Sequence, residues 1–212
     1  VYEIDGSDDI SKVIEELNAD PNVEYAQPNY PLTVAAVPTD EMFQTQWALY
    51  NDGQDVDGYT GRAGVDIGVI PAWDITMGST DVVIGVLDTG IDIRHDDLKN
   101  NIFINSGEIP GNGIDDDGNG YIDDVYGWDF ANDDGSVFDS KDTDTHGTYV
   151  AGIIAAEANN DGIVGVAPNV KILPLKFING NVGYTSDAIE AIEYAMNMGI
   201  DIINCSFGGT DD

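Results

Sequence analysis

Basic side chains are scarce in this 212-residue chain. Lys and Arg number 7 against 40 Asp and Glu, and the formal net charge is −33. So strong a negative charge argues against nucleic acid as a partner and favours cations. A solvated acidic surface suited to a saline habitat explains the same composition, and both interpretations stay open.

Cysteine and long apolar runs are also scarce. The one cysteine, Cys205, allows no internal disulfide, and its place after Ile202-Ile203-Asn204 predicts a small packed side chain rather than a nucleophile. No apolar run reaches the roughly 20 residues that a membrane helix needs, so no membrane partner is predicted. The chain begins at Val1 without a signal segment, which is expected to have been removed or never included.

The residues Val82 to Ile91 are the centre of the predicted fold. Their first six are almost wholly apolar, as in a strand buried on both faces of a sheet, and the strand ends in Asp88-Thr89-Gly90. Open α/β sheets place their ligand sites at the carboxyl ends of strands. Asp88 is therefore a candidate functional carboxylate.

A histidine is the expected partner of Asp88. Only two exist: His95 lies in a polar loop, whereas His146 opens an apolar helix in His146-Gly147-Thr148. A carboxylate that holds an imidazole in one tautomer, with the imidazole as general base, makes up two thirds of a catalytic triad. We predict that Asp88 and His146 form this pair.

Four motifs in the same order resemble those of the subtilisin-like serine proteases, the subtilases of peptidase family S8. They are Asp88-Thr89-Gly90-Ile91, His146-Gly147-Thr148 with Val150-Ala151-Gly152, Gly165-Val166-Ala167-Pro168 and Ser206-Phe207-Gly208-Gly209. The resemblance implies a secreted, extracellular serine endopeptidase that acts on peptides and proteins through the triad order Asp, His, Ser. It covers about Thr39 to the end of the chain.

The nucleophilic serine of that family is not among these residues. Its Gly-Thr-Ser motif, followed by Met-Ala, does not occur in the sequence, nor does the oxyanion-hole asparagine that also follows the SFGG strand. By resemblance, Ser206, Phe207 and Gly208 line the P1 pocket, and Gly183 belongs to the edge on which a substrate strand pairs. We expect these 212 residues alone to be inactive and the complete product to be a protease.

Helical and strand patterns alternate after Val82. Lys171 to Leu175 and Ile200 to Cys205 are predicted strands, and Thr185 to Met198 is a predicted helix with Ile189, Ile192, Ala195 and Met196 along one face. Such alternation predicts a parallel sheet with right-handed crossovers. The fold class is α/β, an incomplete three-layer α/β/α subtilisin-like fold.

Three regions are predicted along the chain. Residues 1–30, with an amphipathic helix from Asp8 to Ala19 and the run from Asp20 to Tyr30, resemble the second half of the family's inhibitory pro-domain of the I9 type. Residues 31–38 form a linker with the processing site, and residues 39–212 form the first part of the catalytic domain. The family resemblance thus implies a zymogen inhibited by its own pro-domain and a chain that is truncated; a structural N-terminal α/β piece is the alternative.

An acidic segment between the Asp and His motifs predicts a calcium site. Asp115, Asp117 and Asn119 alternate like positions 1, 3 and 5 of a calcium loop, Gly120 stands at position 6, and the Tyr121 carbonyl is at position 7. The twelfth position is Tyr126 instead of Glu, so this is not a standard EF-hand. Asp123 or Asp124 is expected to close the shell, and a hydrated acidic loop is the alternative.

A second calcium site is implied by the resemblance alone. Asp97 matches the aspartate of the family's usual site, Asn159 matches the asparagine of its loop, and Asp40 is the ligand near the mature N-terminus. Main-chain carbonyls would complete the shell, from Glu157, Asp161 and Ile163.

Two rival functions differ from the serine protease. Asp-Thr-Gly is also the signature of aspartic proteases, but these need two such aspartates on an all-β fold, and this chain has one with helical patterns after it. A non-catalytic, calcium-binding module with part of a subtilase fold is the second rival. It would leave exposed the sheet edge and the core face that the missing part should cover.

Overall fold

The computed structural model describes residues 9–24, 26 and 37–209. They fall in two compact units, Val1–Val34 and Ala35–Asp212. The division lies within the predicted linker. Residues 31–36 of that linker are outside the described residues, as are residues 25 and 27–30 of the run from Asp20 to Tyr30. In the described part of the chain, no helix has both the length and the apolar character that crossing a bilayer requires.

The first unit contains the predicted amphipathic helix. This helix, α1, spans Ile10–Asn18, and the Asp9 side chain caps it by accepting a hydrogen bond from the Ser11 amide at 3.0 Å. The Asn18 side chain bonds both the amide and the carbonyl of Ala26, which ties the following segment to the helix end.

The second unit has a four-stranded parallel sheet at its centre. Its strands occur in the order β4, β5, β3, β8, where the ranges are β3 Val83–Asp88, β4 Trp128–Asp129, β5 Lys171–Lys176 and β8 Ile202–Cys205. Two small hairpins accompany it, formed by β1 Asp55–Val56 with β2 Tyr59–Thr60 and by β6 Ile178–Asn179 with β7 Val182–Gly183. The helices are α2 Val69–Trp73, α3 Thr145–Ala155 and α4 Thr185–Asn197, with a 3-10 turn at Phe43–Thr45.

Successive residues of β3 supply two different cores because side chains alternate across a strand. Leu87 packs in the cluster that includes residues of α4, whereas Val86 packs in the cluster that includes residues of α3. The two helices therefore cover opposite faces of the sheet. This is the predicted three-layer α/β/α arrangement.

The buried face of α4 differs from the prediction. Ile189, Ile192 and Met196 were expected to face the core, but they are 53%, 37% and 67% exposed. The helix instead packs through Ala188, Ala191, Tyr194 and Ala195. Three alanines let the helix axis come close to the sheet, and the buried Tyr194 reaches past them to a hydrogen-bond partner, which apolar periodicity did not reveal.

The prediction for Cys205 was also wrong. Its side chain is exposed. Within the described residues β8 is the last strand of the sheet and pairs only with β3, so nothing covers this part of it.

A glycine that packs against the end of α3 gives a test of this packing. A Cβ added to Gly165 would lie 2.5 Å from the amide nitrogens of Ala155 and Ala156, which are backbone atoms that cannot move aside. We expect Gly165→Ala to lower the free energy of unfolding by about 2–3 kcal/mol. Gly152→Ala is the matched control within α3, because its Cβ would meet only Ile163 at 3.5 Å, and helix propensity favours alanine by about 1 kcal/mol. Urea denaturation of both variants is the measurement. Equal denaturation midpoints for the two variants would contradict this account of the packing.

Candidate active site and cation-binding loops

The candidate active site begins where β3 ends. Asp88 is the last residue of the strand, and its side chain is 1% exposed. Oδ1 accepts a hydrogen bond from the Thr89 amide at 2.7 Å. The carboxylate is thus already oriented by the turn that follows it.

His146 reaches Asp88 from the first turn of α3. Its Nδ1 lies 2.8 Å from Oδ1 and 2.9 Å from Oδ2 of Asp88. With Nδ1 donating to the carboxylate, Nε2 of the neutral ring carries the lone pair. The ring is 58% exposed, so it can accept a proton from a group outside the protein core.

The helix can approach the strand so closely because the residue after His146 has no side chain. A Cβ on Gly147 would lie 2.3 Å from the Gly90 carbonyl oxygen and 3.2 Å from the Asp88 side chain. The Gly147 amide instead donates to Thr89 Oγ1 at 3.1 Å. The Asp-Thr-Gly turn and the His-Gly-Thr helix start are therefore in direct contact.

The predicted substrate-binding residues lie near the carboxyl ends of the strands or in the hairpin that follows β5. Register pairs Leu87 with Cys205, so Asp88 and Ser206 leave adjacent parallel strands at the same edge of the sheet. The Phe207 ring packs edge-on against Phe177 with 4.6 Å between ring centroids. Both residues of β7 are exposed, including Gly183. A Cβ at Gly183 would lie 2.8 Å from the Phe177 ring, so that ring would have to shift to admit a side chain.

The acidic loop brings some of its predicted ligands together and adds one. Oxygen atoms of Glu108, Asp115 and Asp117 lie within 4.8 Å of one another. Glu108 was missed because it precedes the alternating aspartates and belongs to no motif. It is buried, and it accepts hydrogen bonds from three loop amides, those of Asp116, Asp117 and Asp123.

The other predicted ligands of this loop have different contacts. Asp124 is fully buried and is not part of that group of three; its Oδ2 accepts from Tyr194 at 2.7 Å. Asn119 donates to Asp117 at 3.3 Å and to Asp124 at 2.9 Å. The ring of Tyr121 packs edge-on against Tyr194, and its hydroxyl donates to Glu190. Burial and the Glu190 carboxylate raise the pKa of Tyr121 to about 12.

The residues of the second predicted cation site also meet. Asn159 Nδ2 donates to Asp97 Oδ1 at 3.2 Å, and the Asn159 amide donates to Asp40 Oδ1 at 3.0 Å. The Ile163 amide donates to Asp97 Oδ2 at 3.1 Å. Burial raises the pKa of Asp97, and the negative charge of Asp40 adds to this rise. The hydrogen bonds that Asp97 accepts from Ile163 and Asn159 lower its pKa but do not cancel the rise. Two carboxylates thus face one loop, and among the residues that the structure describes no Lys or Arg forms an ion pair with either of them.

Comparison with known proteins gives the family. The model of the subtilase family matches residues 79–212. The chain is 36% identical over 202 residues to the thermophilic serine proteinase of Bacillus sp. (strain AK1), covering 94% of this chain and 40% of that protein. It is 32% identical over 189 residues to the halolysin-like extracellular serine protease Nep of Natrialba magadii, covering 88% of this chain and 29% of the relative.

A solved structure gives the same result. A protease from Pseudoalteromonas arctica PAMC 21717 superposes with a TM-score of 0.61 at 28% identity, over 82% of this chain and 51% of that one. The chain therefore spans about half or less of the proteins that it matches. The family match covers both members of the Asp88–His146 pair, and on this evidence the chain belongs to the subtilase family.

Proposed function

We propose that this chain is part of a serine endopeptidase in which Asp88 and His146 are two members of the catalytic triad. The observation that carries the proposal is the hydrogen bond from His146 Nδ1 to the buried Asp88, 2.8 Å long, at the carboxyl edge of a parallel sheet. The single Asp-Thr-Gly aspartate pairs with an imidazole rather than with a second aspartate. This pairing favours the serine mechanism over the aspartic one.

In the proposed reaction His146 acts as the general base. Its Nε2 takes the proton of the nucleophilic serine while the serine oxygen attacks the carbonyl carbon of a peptide bond, and it later returns the proton to the leaving amine. Asp88 keeps Nδ1 protonated and stabilises the imidazolium without taking the proton itself. In the family the nucleophilic serine follows the SFGG segment, so a residue C-terminal to Gly209 would have to supply it.

Substrate binding is proposed at the same edge of the sheet. The exposed β7 pairs only with β6 within the described residues, so an extended peptide could add to its other edge as a further strand. Ser206, Phe207 and Gly208 would line the pocket for the P1 side chain. The contact of Phe207 with Phe177 joins that pocket to the segment leading into β6. Ser206 itself is not proposed as the nucleophile, because it matches a pocket position of the family. Its hydroxyl donates to Asn204 instead of to His146.

Calcium is the proposed cofactor of both acidic loops. The hard oxygen donors of Glu108, Asp115 and Asp117 converge within the spacing that one Ca²⁺ would bridge, and a cation would relieve their repulsion. Asp40, Asp97 and Asn159 would hold a second ion. In both places the ion would serve to order the loop and would take no part in acyl transfer.

The remaining proposals concern processing and location. Residues 1–30 are proposed as the end of a pro-domain that inhibits the enzyme, residues 31–38 as the linker that is cleaved, and residues 39–212 as the first part of the catalytic domain. The division of the chain between Val34 and Ala35 supports a linker there. Secretion is supported by the extracellular relative from Natrialba magadii.

A non-catalytic calcium-binding module is the second candidate. The observation in its favour is the group of three carboxylates, Glu108, Asp115 and Asp117, which could hold an ion without any catalytic step. A reading frame that continues into a Gly-Thr-Ser-Met-Ala motif favours the enzyme, whereas a stop codon after Asp212 favours the module.

The first prediction concerns the triad. In a longer form of the protein that supplies the serine, we expect Asp88→Asn to lower kcat by about 10⁴-fold, the factor for the corresponding change in the chymotrypsin-type triad, because asparagine holds the imidazole in the wrong tautomer. Hydrolysis of a generic peptide substrate measures this. Asp81→Asn is the control. Asp81 lies two residues before the start of β3, at the end of the strand opposite to Asp88, and its replacement should leave kcat unchanged. The 212-residue chain should show no hydrolysis, and activity there that a serine-directed inhibitor abolishes would refute the proposal.

The next prediction concerns calcium. We expect Ca²⁺ to raise the thermal stability of the chain, and we expect Asp115→Asn and Asp117→Asn each to weaken binding about tenfold or more, since each removes a carboxylate from the group of three. Titration calorimetry with Ca²⁺ alone is the measurement. Asp74→Asn is the matched control, because Asp74 is exposed and outside both loops. The cofactor proposal would be contradicted if Ca²⁺ left the thermal stability of the chain unchanged and gave no heat of binding.

A further inference from the structure

One fully buried charge has no part in the acyl transfer proposed above. Lys176 ends β5, and its side chain is 0% exposed. An ammonium group is strongly hydrated, so its burial is costly unless its N–H groups find partners inside the protein. The apolar pattern of β5 gave no sign of a buried cation.

All three N–H groups of this ammonium have partners. Nζ donates to the Thr89 carbonyl at 2.9 Å, to the Ile178 carbonyl at 3.1 Å and to Asp144 Oδ1 at 3.2 Å. A lysine has three donors, so the set is complete. The partners belong to three chain segments: the turn after β3, the start of β6 and the residue before α3.

Two of these partners are next to the candidate catalytic pair. Thr89 follows Asp88 directly, and Asp144 precedes His146 by two residues. The other oxygen of Asp144 accepts from the amides of Asp139 and Ser140, which fixes the loop that leads into the helix. Lys176 therefore links the Asp-Thr-Gly turn to the beginning of α3.

The charges around Lys176 indicate that this link is electrostatic as well as geometric. Asp139 Oδ2 lies 3.6 Å and Asp129 Oδ2 lies 3.8 Å from Nζ, in addition to the bonded Asp144. Burial raises the pKa of Asp129, and the positive charge of Lys176 opposes that rise. One ammonium thus holds three carboxylates together beneath the site.

We propose that Lys176 is a positioning residue for the Asp88–His146 pair, which it holds in register by tying the Thr89 carbonyl to the Asp144 carboxylate. It touches neither substrate nor reacting atoms. The inference rests on the proposed role of that pair, and its test separates the two.

The test is the tautomer of His146 in the 212-residue chain, read from the imidazole nitrogen shifts by NMR. His95→Gln provides a background in which His146 is the sole imidazole. In that background the Nδ1–H tautomer should predominate and should be lost in Asp88→Asn. The double variant Lys176→Met with Asp144→Asn removes the tie and its main counter-charge together. We expect it to lower the ratio of Nδ1–H to Nε2–H tautomer about tenfold, the scale of one hydrogen bond.

Two further variants separate positioning from general stability. Lys176→Arg keeps a cation with several donors and should retain most of the Nδ1–H signal. Lys171→Met, on the same strand, removes a half-buried lysine whose ammonium group donates to the Asn100 carbonyl, and it should change nothing. Amide spectra verify that each variant is folded.

Three outcomes would count against the proposals. An unchanged tautomer ratio in the folded double variant overturns the role of Lys176 while the catalytic pair stands. Should that variant not fold, Asp144→Asn alone decides, with a fall of about threefold expected and no fall overturning the role. A parent chain without an Asp88-dependent Nδ1–H signal overturns the catalytic pair itself, and the role of Lys176 with it.

Discussion

The contact between the end of β3 and the start of α3 is the constraint on which the site depends. Asp88 and His146 lie 58 residues apart in sequence, yet their side chains meet because Gly147 lets the helix start rest against the Gly90 carbonyl. A side chain at Gly147 would force the helix start away from the strand, because its Cβ would lie 2.3 Å from the Gly90 carbonyl oxygen. The close packing of two backbones thus sets the geometry of a proton transfer.

The distribution of charge supports the same contact. The chain has 7 basic residues, and it buries one of them, Lys176, among three carboxylates under this junction. A buried cation with every donor satisfied specifies a single arrangement of its partners, whereas an apolar side chain there would tolerate several. The buried Lys176 therefore indicates which segments must stay together around the candidate site.

The acidic loop is joined to the fold by hydrogen bonds rather than by apolar packing alone. Asp124, fully buried, accepts from the Tyr194 hydroxyl of α4, while Asn105 donates to both Asp117 and Asp124. Asp117, one of the proposed calcium ligands, is thus linked to α4 through Asn105, Asp124 and Tyr194. Ion binding would be expected to stiffen α4 through Asp124, on the face opposite α3.

The sequence by itself determined the elements and the chemistry. The apolar run ending in Asp88, the helix opening at His146 and the alternation of strands with helices predicted the α/β/α fold and its family, because side-chain periodicity and short motifs are local properties. Only the tertiary structure decided which face of α4 is buried, that Cys205 is exposed, that Glu108 joins Asp115 and Asp117, and that Lys176 lies under the site. These features depend on which distant segments come together, and an isolated lysine at the end of an apolar strand has no periodicity that reveals its partners.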